Sequence, residues 1–317
     1  MINKPKVSII IPVYNEERKI KNCLDSIFSQ SYKDFEVLII DDNSTDKTLE
    51  IVRNYKVRIL KNGKKDYDIG KAIGIKNSKG EYLLFIDADN RLVDKNWLTK
   101  AVEVLDSKPE VLGVESWKFF YSKQHNLANR YHELFGNADP AVFYLKNQAH
   151  LQSWEKIWKL KGDIVEDKED YVIVRFKQNE VPTIGPQGFL TRKEYFKDEK
   201  VFQHIEFFIN KAEKGNFCFL KNEVEHLAVE NIKDWIKKFE RNIEHYFSDM
   251  RKIKQKRYDL NLAKMIYAFF IMISLAKPIY DAVKRYIHIR DRAWFLHIYI
   301  SFIVPWIYAW QFIKSKF

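Results

Sequence analysis

The run Tyr82-Leu83-Leu84-Phe85-Ile86 is apolar throughout and ends in Asp87-Ala88-Asp89. A strand that alternates apolar and polar residues can leave one face wet. An unbroken apolar run must be covered on both faces, which is the situation of a strand inside a parallel sheet. The cover has to come from helical crossovers, and the first hundred residues supply them. Val7-Ser8-Ile9-Ile10-Ile11 reads as a strand stopped by Pro12. Residues 16–30 then place Ile20, Leu24, Ile27 and Phe28 on one helical face. Phe35–Ile40 is a second strand ending in Asp41-Asp42, after which Ser44 and Thr45 offer caps for a helix carrying Leu49, Ile51 and Val52. Val57–Leu60 is a third strand, 70–78 a helix, and Tyr82–Ile86 the fourth strand. Such alternation predicts an α/β fold with a doubly wound, parallel sheet.

Open α/β sheets bind ligands at the C-terminal ends of their strands, where Asp87 and Asp89 fall. Two carboxylates one residue apart, with a small residue between, can share one hard cation such as Mg²⁺ or Mn²⁺, which would also hold phosphate oxygens. Short acidic pairs are common by chance, so the weight of this pair comes from its neighbours. The chain carries 54 Lys+Arg against 43 Asp+Glu, a net charge of +11, which favours anionic partners. Cys23 and Cys218 form neither a disulfide framework nor a metal spacing, and both lie in apolar segments as buried thiols do. The N-terminus leads straight into a strand with no leader pattern, so the catalytic part is expected in the cytoplasm.

The remainder is less regular. Residues 115–195 are mixed and aromatic, followed by Gly185-Pro186-Gln187-Gly188-Phe189-Leu190, a helix from Gln203 to Lys214, and a strand Phe217–Leu220. Residues 232–250 are amphipathic, with Trp235, Ile236, Phe239, Ile243, Tyr246 and Phe247 on one face, and 233–257 hold nine Lys/Arg against four Asp/Glu. That pattern suits a helix capping the core with a solvated basic face, or one lying on an anionic membrane surface. Leu262–Ala276 is apolar apart from Lys264, and Ala293–Ile313 runs 21 residues without Asp, Glu, Lys or Arg. The second stretch is long enough to span a bilayer. Its Trp294, Trp306, Trp310 and tyrosines favour an interfacial or re-entrant hairpin over a true span or a buried helix.

The order of motifs is more specific than any one of them. Pro12-Val13-Tyr14-Asn15-Glu16 follows strand one, Asp41-Asp42-Asn43-Ser44-Thr45-Asp46 follows strand two, Lys71-Ala72-Ile73-Gly74 opens a helix, and Asp87-Ala88-Asp89 ends strand four. Over residues 5–230 the chain closely resembles a family-2 glycosyltransferase of the GT-A fold, a Rossmann-like, mostly parallel sheet flanked by helices. The resemblance implies that Pro12, Tyr14 and Glu16 line the nucleobase side of a donor pocket and that Asp42 accepts a hydrogen bond from the base. It implies that Lys71 faces the donor phosphates, although the usual Asn beside it is Ala72 here. Asp89 would bind the metal that bridges the diphosphate, and Asp87, with Ala88, would face the ribose or sugar. Gly188 lies in the segment resembling the Gly-rich acceptor loop, and Asp139 in Asn137-Ala138-Asp139-Pro140 is a further acceptor contact or a plain turn. His226 falls where the family has a His near the metal or diphosphate. Where many members read Glu-Asp-x-Asp/Glu-Leu, this chain has Phe202-Gln203-His204-Ile205-Glu206-Phe207. His204 therefore stands at the usual Asp position, and Glu206, the retained carboxylate, is the favoured general base.

The expectation is thus an inverting transferase using Mg²⁺ or Mn²⁺ and a UDP- or GDP-sugar, with residues 1–230 catalytic and 231–317 a basic, amphipathic and hydrophobic membrane-associating region. The expected acceptor is a lipid-linked glycan or polyprenyl phosphate at the cytoplasmic face of the cell membrane, in surface polysaccharide or glycoprotein glycan assembly. A soluble transferase acting on another acceptor is the alternative. A nucleotidyltransferase would open with a Gly-rich loop after strand one, where Tyr14-Asn15-Glu16 stands. A nucleic-acid-binding module would need aromatics interleaved with basic residues along one face, and no nucleic-acid partner is expected.

Overall fold

The computed structural model describes residues 4–315, apart from 65, 138, 147, 149, 178–180, 182–186, 197–214 and 253–261. The chain packs as two compact units. One combines Met1–Trp117 with Gly162–Leu227, and the other combines Lys118–Lys161 with Ala228–Phe317.

The first unit is built on a ten-stranded sheet. Its parallel half consists of β1 (Val7–Val13), β2 (Phe35–Asp41), β3 (Arg58–Lys61) and β4 (Tyr82–Ile86), in the order β3-β2-β1-β4. Each of β1 and β4 is buried along nearly its whole length, β4 as an unbroken apolar run and β1 as one broken only by the buried Ser8. β1 runs through Pro12 to Val13 instead of stopping at the proline. The last β1–β4 pair is Ile10↔Phe85, so beyond it only the β2 side is paired, and the missing N–H of Pro12 opens no gap in the β4 ladder. Three crossover helices are α1 (Ile20–Phe28), α2 (Thr48–Val52) and α3 (Tyr67–Asn77). α3 begins one turn earlier than the apolar spacing indicates, because the Asp66 carboxylate accepts from the N–H groups of Asp68 and Ile69. Gly74 lets α3 lie directly on β1: a Cβ there would sit 2.5 Å from Ile10 Cγ2.

The other half is antiparallel and was not evident from the sequence. It contains β5 (Asn90–Leu92), β6 (Val111–Phe119), β7 (Asp163–Asp167), β8 (Tyr171–Arg175), β9 (Gln187–Arg192) and β10 (Asn216–His226). From β4 the sheet continues β9-β6-β10-β8-β7, and β5 pairs with β10. β10 is much longer than the expected Phe217–Leu220, and its extension carries Glu225 and His226 to β5. α4 (Trp97–Ser107) covers this half; its Trp97 indole donates to Ser116 Oγ at 2.8 Å, and that hydroxyl donates to Asn222 Oδ1 at 2.9 Å. The expected helix from Gln203 to Lys214 lies outside the described residues.

The second unit is helical: α5 (Leu127–Phe135), α6 (Pro140–Tyr144), α7 (Ile232–Lys252), α8 (Leu262–Ser274), α9 (Ala276–His288) and α10 (Leu296–Lys314). Trp235, Phe239 and Ile243 of α7 are buried in its core with Phe135, Trp294, Ile300 and Val304. That stretch of the apolar face of α7 is therefore consumed inside the protein, as in a capping helix with a basic outer face. α8 and α9 meet at 71°, where Leu275 adopts φ 59°. One face of α10 is buried, while Tyr299, Phe302, Trp306, Trp310 and Ile313 are exposed. The buried face includes His297, which is held between Tyr131 (Nδ1–OH 3.1 Å) and Tyr144 (Nε2–OH 2.9 Å). Asp281 lies near the same point and takes Lys277 Nζ at 2.6 Å and Arg285 Nη1 at 2.7 Å.

Candidate active site

The loops after β1 and β2 are laced together by side chains. Asn15, at φ 54°, donates its N–H to Ser44 Oγ at 3.1 Å and accepts from Thr45 N–H at 2.8 Å. Glu16 N–H donates to Thr48 Oγ1 at 2.7 Å, and Glu17 N–H to Asp46 Oδ2 at 3.1 Å. Ser44 therefore ties two loops together and does not cap α2, which starts later, at Thr48, where the Asp46 carboxylate accepts the Thr48 N–H at 2.9 Å. The two acids after β2 are also separated in role. Asp41 is buried and accepts from Ser44 N–H at 3.1 Å, closing the turn, while Asp42 is held through its backbone to Val13 O at 2.9 Å. Pro12, Tyr14, Glu16 and Asp42 thus belong to one braced rim at the C-terminal ends of β1 and β2. The Tyr14 ring is half-exposed there.

The end of β4 is braced from β10. Ala88 is buried, and Asp87 O accepts the Asn90 N–H at 3.0 Å in a tight turn. β5 follows at once and pairs antiparallel with β10 in the register Asn90↔His226, Arg91↔Glu225, Leu92↔Val224. Leu227 N–H donates to Asp89 O at 3.0 Å, which extends the ladder by one rung. This register brings His226 Nε2 to 3.5 Å from Asp89 Oδ2, and Asn90 Nδ2 donates to Asp89 Oδ1 at 3.1 Å. Both side chains are largely buried, 12% exposed for His226 and 8% for Asp89. Burial, and then the charges of Asp89, Asp87 and Glu16, push the nearby Cys23 thiol well above its usual range. His226 is the last residue of β10.

Lys71 is buried on α3, and its ammonium lies 3.8 Å from the centre of the Tyr67 ring. Burial pushes its pKa down to about 7, with Asp68 acting in the opposite direction. Gly188 forms a bulge in β9 opposite the end of β4, where pairing passes from Phe85↔Phe189 to Ile86↔Gln187. Its φ of 105° is a conformation that glycine tolerates and L-residues resist. Asp139 belongs to the helical unit, where it caps α6 by accepting from Ala141 N–H at 2.8 Å and also accepts from the Tyr308 hydroxyl at 2.6 Å. His204 and Glu206 lie outside the described residues. Sequence reasoning missed Asn90, Arg91, Glu225 and Tyr67. The first three lie within two residues of Asp89 or His226, but only strand pairing gives that nearness a meaning.

Among the described residues, no three His, Cys, Asp or Glu side chains converge on one point. Asp89 and His226 supply two donors, a carboxylate oxygen and an imidazole nitrogen. Their separation is near the roughly 3 Å between neighbouring ligands of an octahedral cation with bonds of about 2.1 Å. The pair would suit two ligand positions of a Mg²⁺ or Mn²⁺ ion.

A half-parallel, half-antiparallel sheet with crossover helices and acids at the end of β4 defines the GT-A fold. The mannosyltransferase PcManGT from Pyrobaculum calidifontis, solved with GDP-Man and Mn²⁺, shares this fold at a TM-score of 0.56 and 15% sequence identity, over 98% of this chain and 88% of that one. The model of glycosyl transferase family 2 matches residues 8–199, and the chain belongs to that family. Among its relatives, glycosyltransferase GlyA of Streptococcus pneumoniae is 25% identical over 218 residues, 63% of this chain and 30% of that protein. Glycosyltransferase AglE of Haloferax volcanii is 32% identical over 135 residues, 40% of this chain and 44% of that protein. The chain thus spans less than half the length of either relative.

Proposed function

We propose that this chain transfers a sugar from a UDP- or GDP-sugar to an acceptor hydroxyl or phosphate, with inversion at the sugar carbon. The observation that carries the reading is the buried approach of His226 to Asp89 at the meeting of β4, β5 and β10 in a family 2 chain. Tyr14, Pro12 and Glu16 line the base side, Asp42 accepts from a base N–H, and Asp87, with Ala88, lines the ribose and sugar side. Lys71 supports the diphosphate. When bound at Asp89 and His226, a divalent cation supplies Lewis-acid stabilisation of the departing diphosphate. Glu206 or His204 takes the acceptor proton from the opposite face of the sugar, and Gly188 gives the acceptor close access to backbone. Asp139 is retained as an acceptor-side candidate. The GDP-Man and Mn²⁺ named for the mannosyltransferase are of the donor and metal class proposed here.

Catalysis is assigned to residues 1–230 and membrane association to 231–317, at the cytoplasmic face, with a lipid-linked glycan or polyprenyl phosphate as acceptor. Arg292–Lys314 is one helical stretch long and apolar enough to cross a bilayer. An interfacial seat suits it better than a span, because one face carries His297 and Ser301 in internal hydrogen bonds while the other exposes Trp306 and Trp310.

The test is release of UDP or GDP from a panel of nucleotide-sugars, with Mn²⁺ or with EDTA. Asp89→Ala should abolish turnover while far-UV circular dichroism stays that of the wild type. Full metal-dependent turnover in that folded variant would overturn the assignment.

A further inference from the structure

We propose that Arg91 and Glu225 are positioning residues for the Asp89–His226 pair; the inference rests on the metal reading given above. Neither residue is assigned to the donor, the metal or the acceptor. Arg91 stands two places after Asp89, and Glu225 immediately before His226. They face each other across the β5–β10 pair. Arg91 Nη2 donates to Glu225 Oε1 at 2.9 Å, and Arg91 Nε lies 2.8 Å from Glu225 Oε2 as an ion pair without hydrogen-bond geometry. The Glu225 side chain is only 6% exposed.

The need for such a pin follows from the brevity of β5. Three residues give a ladder too short to fix its own register. A slip of one residue would turn every side chain of β5 to the opposite face and move Asn90 away from His226. Asp89 precedes the strand directly, so its position relative to His226 depends on that register. The Nη2 hydrogen bond is directional, and the ion pair beside it adds attraction, so together they hold Arg91 opposite Glu225. Removing Arg91 would take away the cation that faces the buried Glu225 carboxylate across the strand pair, and with it the contact that holds the register. The pair therefore acts on the donor site through strand register and touches neither nucleotide nor metal.

The experiment is calorimetric titration of UDP and of GDP into the full chain, each in excess Mn²⁺ and in EDTA. The quantity read is the ratio of the two affinities for the nucleotide that binds tighter. Residues that orient metal ligands typically change metal affinity 10- to 100-fold when altered. Arg91→Ala should lower the Mn²⁺-dependent gain at least about tenfold, leaving the affinity in EDTA within about twofold of wild type. Arg91→Lys, which keeps the charge and loses the Nη2 donor, should fall between them. A role confined to stability would lower the melting temperature and leave the ratio unchanged. If Arg91→Ala does not fold, Arg91→Lys decides alone. A wild-type ratio in folded Arg91→Ala and Arg91→Lys, alongside a lost ratio in Asp89→Ala, overturns this inference and leaves the metal reading standing. An unchanged ratio in Asp89→Ala overturns the metal reading and the inference together.

Discussion

Replacing Lys71 by methionine should make the protein more stable and a poorer binder of its nucleotide. The ammonium is buried on α3, and burial pulls its pKa from 10.5 to about 7. At about 1.4 kcal/mol per pH unit, holding that charge in the folded chain costs on the order of 4 kcal/mol at neutral pH. The contact with the Tyr67 ring, 3.8 Å away, returns about 1 kcal/mol of this, and methionine keeps most of the apolar stem. The net gain for Lys71→Met is therefore about 2–3 kcal/mol, which for a unit of this size raises Tm by roughly 5–10 °C. The gain should depend on pH in a defined way. Below about pH 7 the amine is protonated in both folded and unfolded chains, so the cost is constant. Between about 7 and 10.5 only the unfolded chain keeps the proton, so wild-type stability rises with pH across that window. Urea unfolding at pH 7 and pH 10 would show the two proteins converging. Calorimetry with UDP and GDP should show weaker binding by the variant, because a bound diphosphate restores the charge that the fold disfavours. A variant no more stable than wild type at pH 7, or a constant difference between the two pH values, would refute the reasoning.

Further perturbations test other parts of the molecule. Gly74→Ala would place a Cβ 2.5 Å from Ile10 Cγ2, so α3 must lift from β1 and the midpoint of chemical denaturation should fall by the equivalent of about 1–3 kcal/mol. Burial raises the Asp139 carboxyl to about 6, so between about pH 4 and 6 the folded chain holds a proton that the unfolded chain has lost. Stability should therefore fall as pH rises through that window, and Asp139→Asn should flatten the profile in thermal melts. Trp306→Ser with Trp310→Ser removes two exposed aromatic rings from α10; liposome flotation should fall at least about tenfold with Tm unchanged, and undiminished flotation would exclude this face as the lipid contact.

The parallel half of the sheet was legible because it is written locally. Ile9–Ile11, Val37–Ile40 and Tyr82–Ile86 are continuous apolar runs, and a run of that kind has few environments open to it. The loops after β1 and β2 were legible for the same reason, since Asn, Ser, Thr and Asp at a strand end favour turns and caps. Which hydroxyl served which purpose was not legible: Ser44 faces a loop 29 residues away and leaves the start of α2 to Asp46. The amphipathic period of α7 was equally clear, but a period tells only that one face is covered. Packing of Trp235, Phe239 and Ile243 decided that the protein itself covers it there.

The sequence by itself determined that a nucleotide-type sheet with acids at the end of its fourth strand forms, because burial and turn chemistry act between near neighbours. The resemblance put His226 near the metal of Asp89, and tertiary structure decided the contacts that bring them together. Asp89 meets His226, and Arg91 meets Glu225 across 134 residues of chain, only because β10 returns antiparallel to the three-residue β5. Strand pairing is made by backbone groups that every residue carries, so no side-chain pattern announces the partner. It is fixed when the whole sheet assembles, and the candidate metal pair comes into being with it.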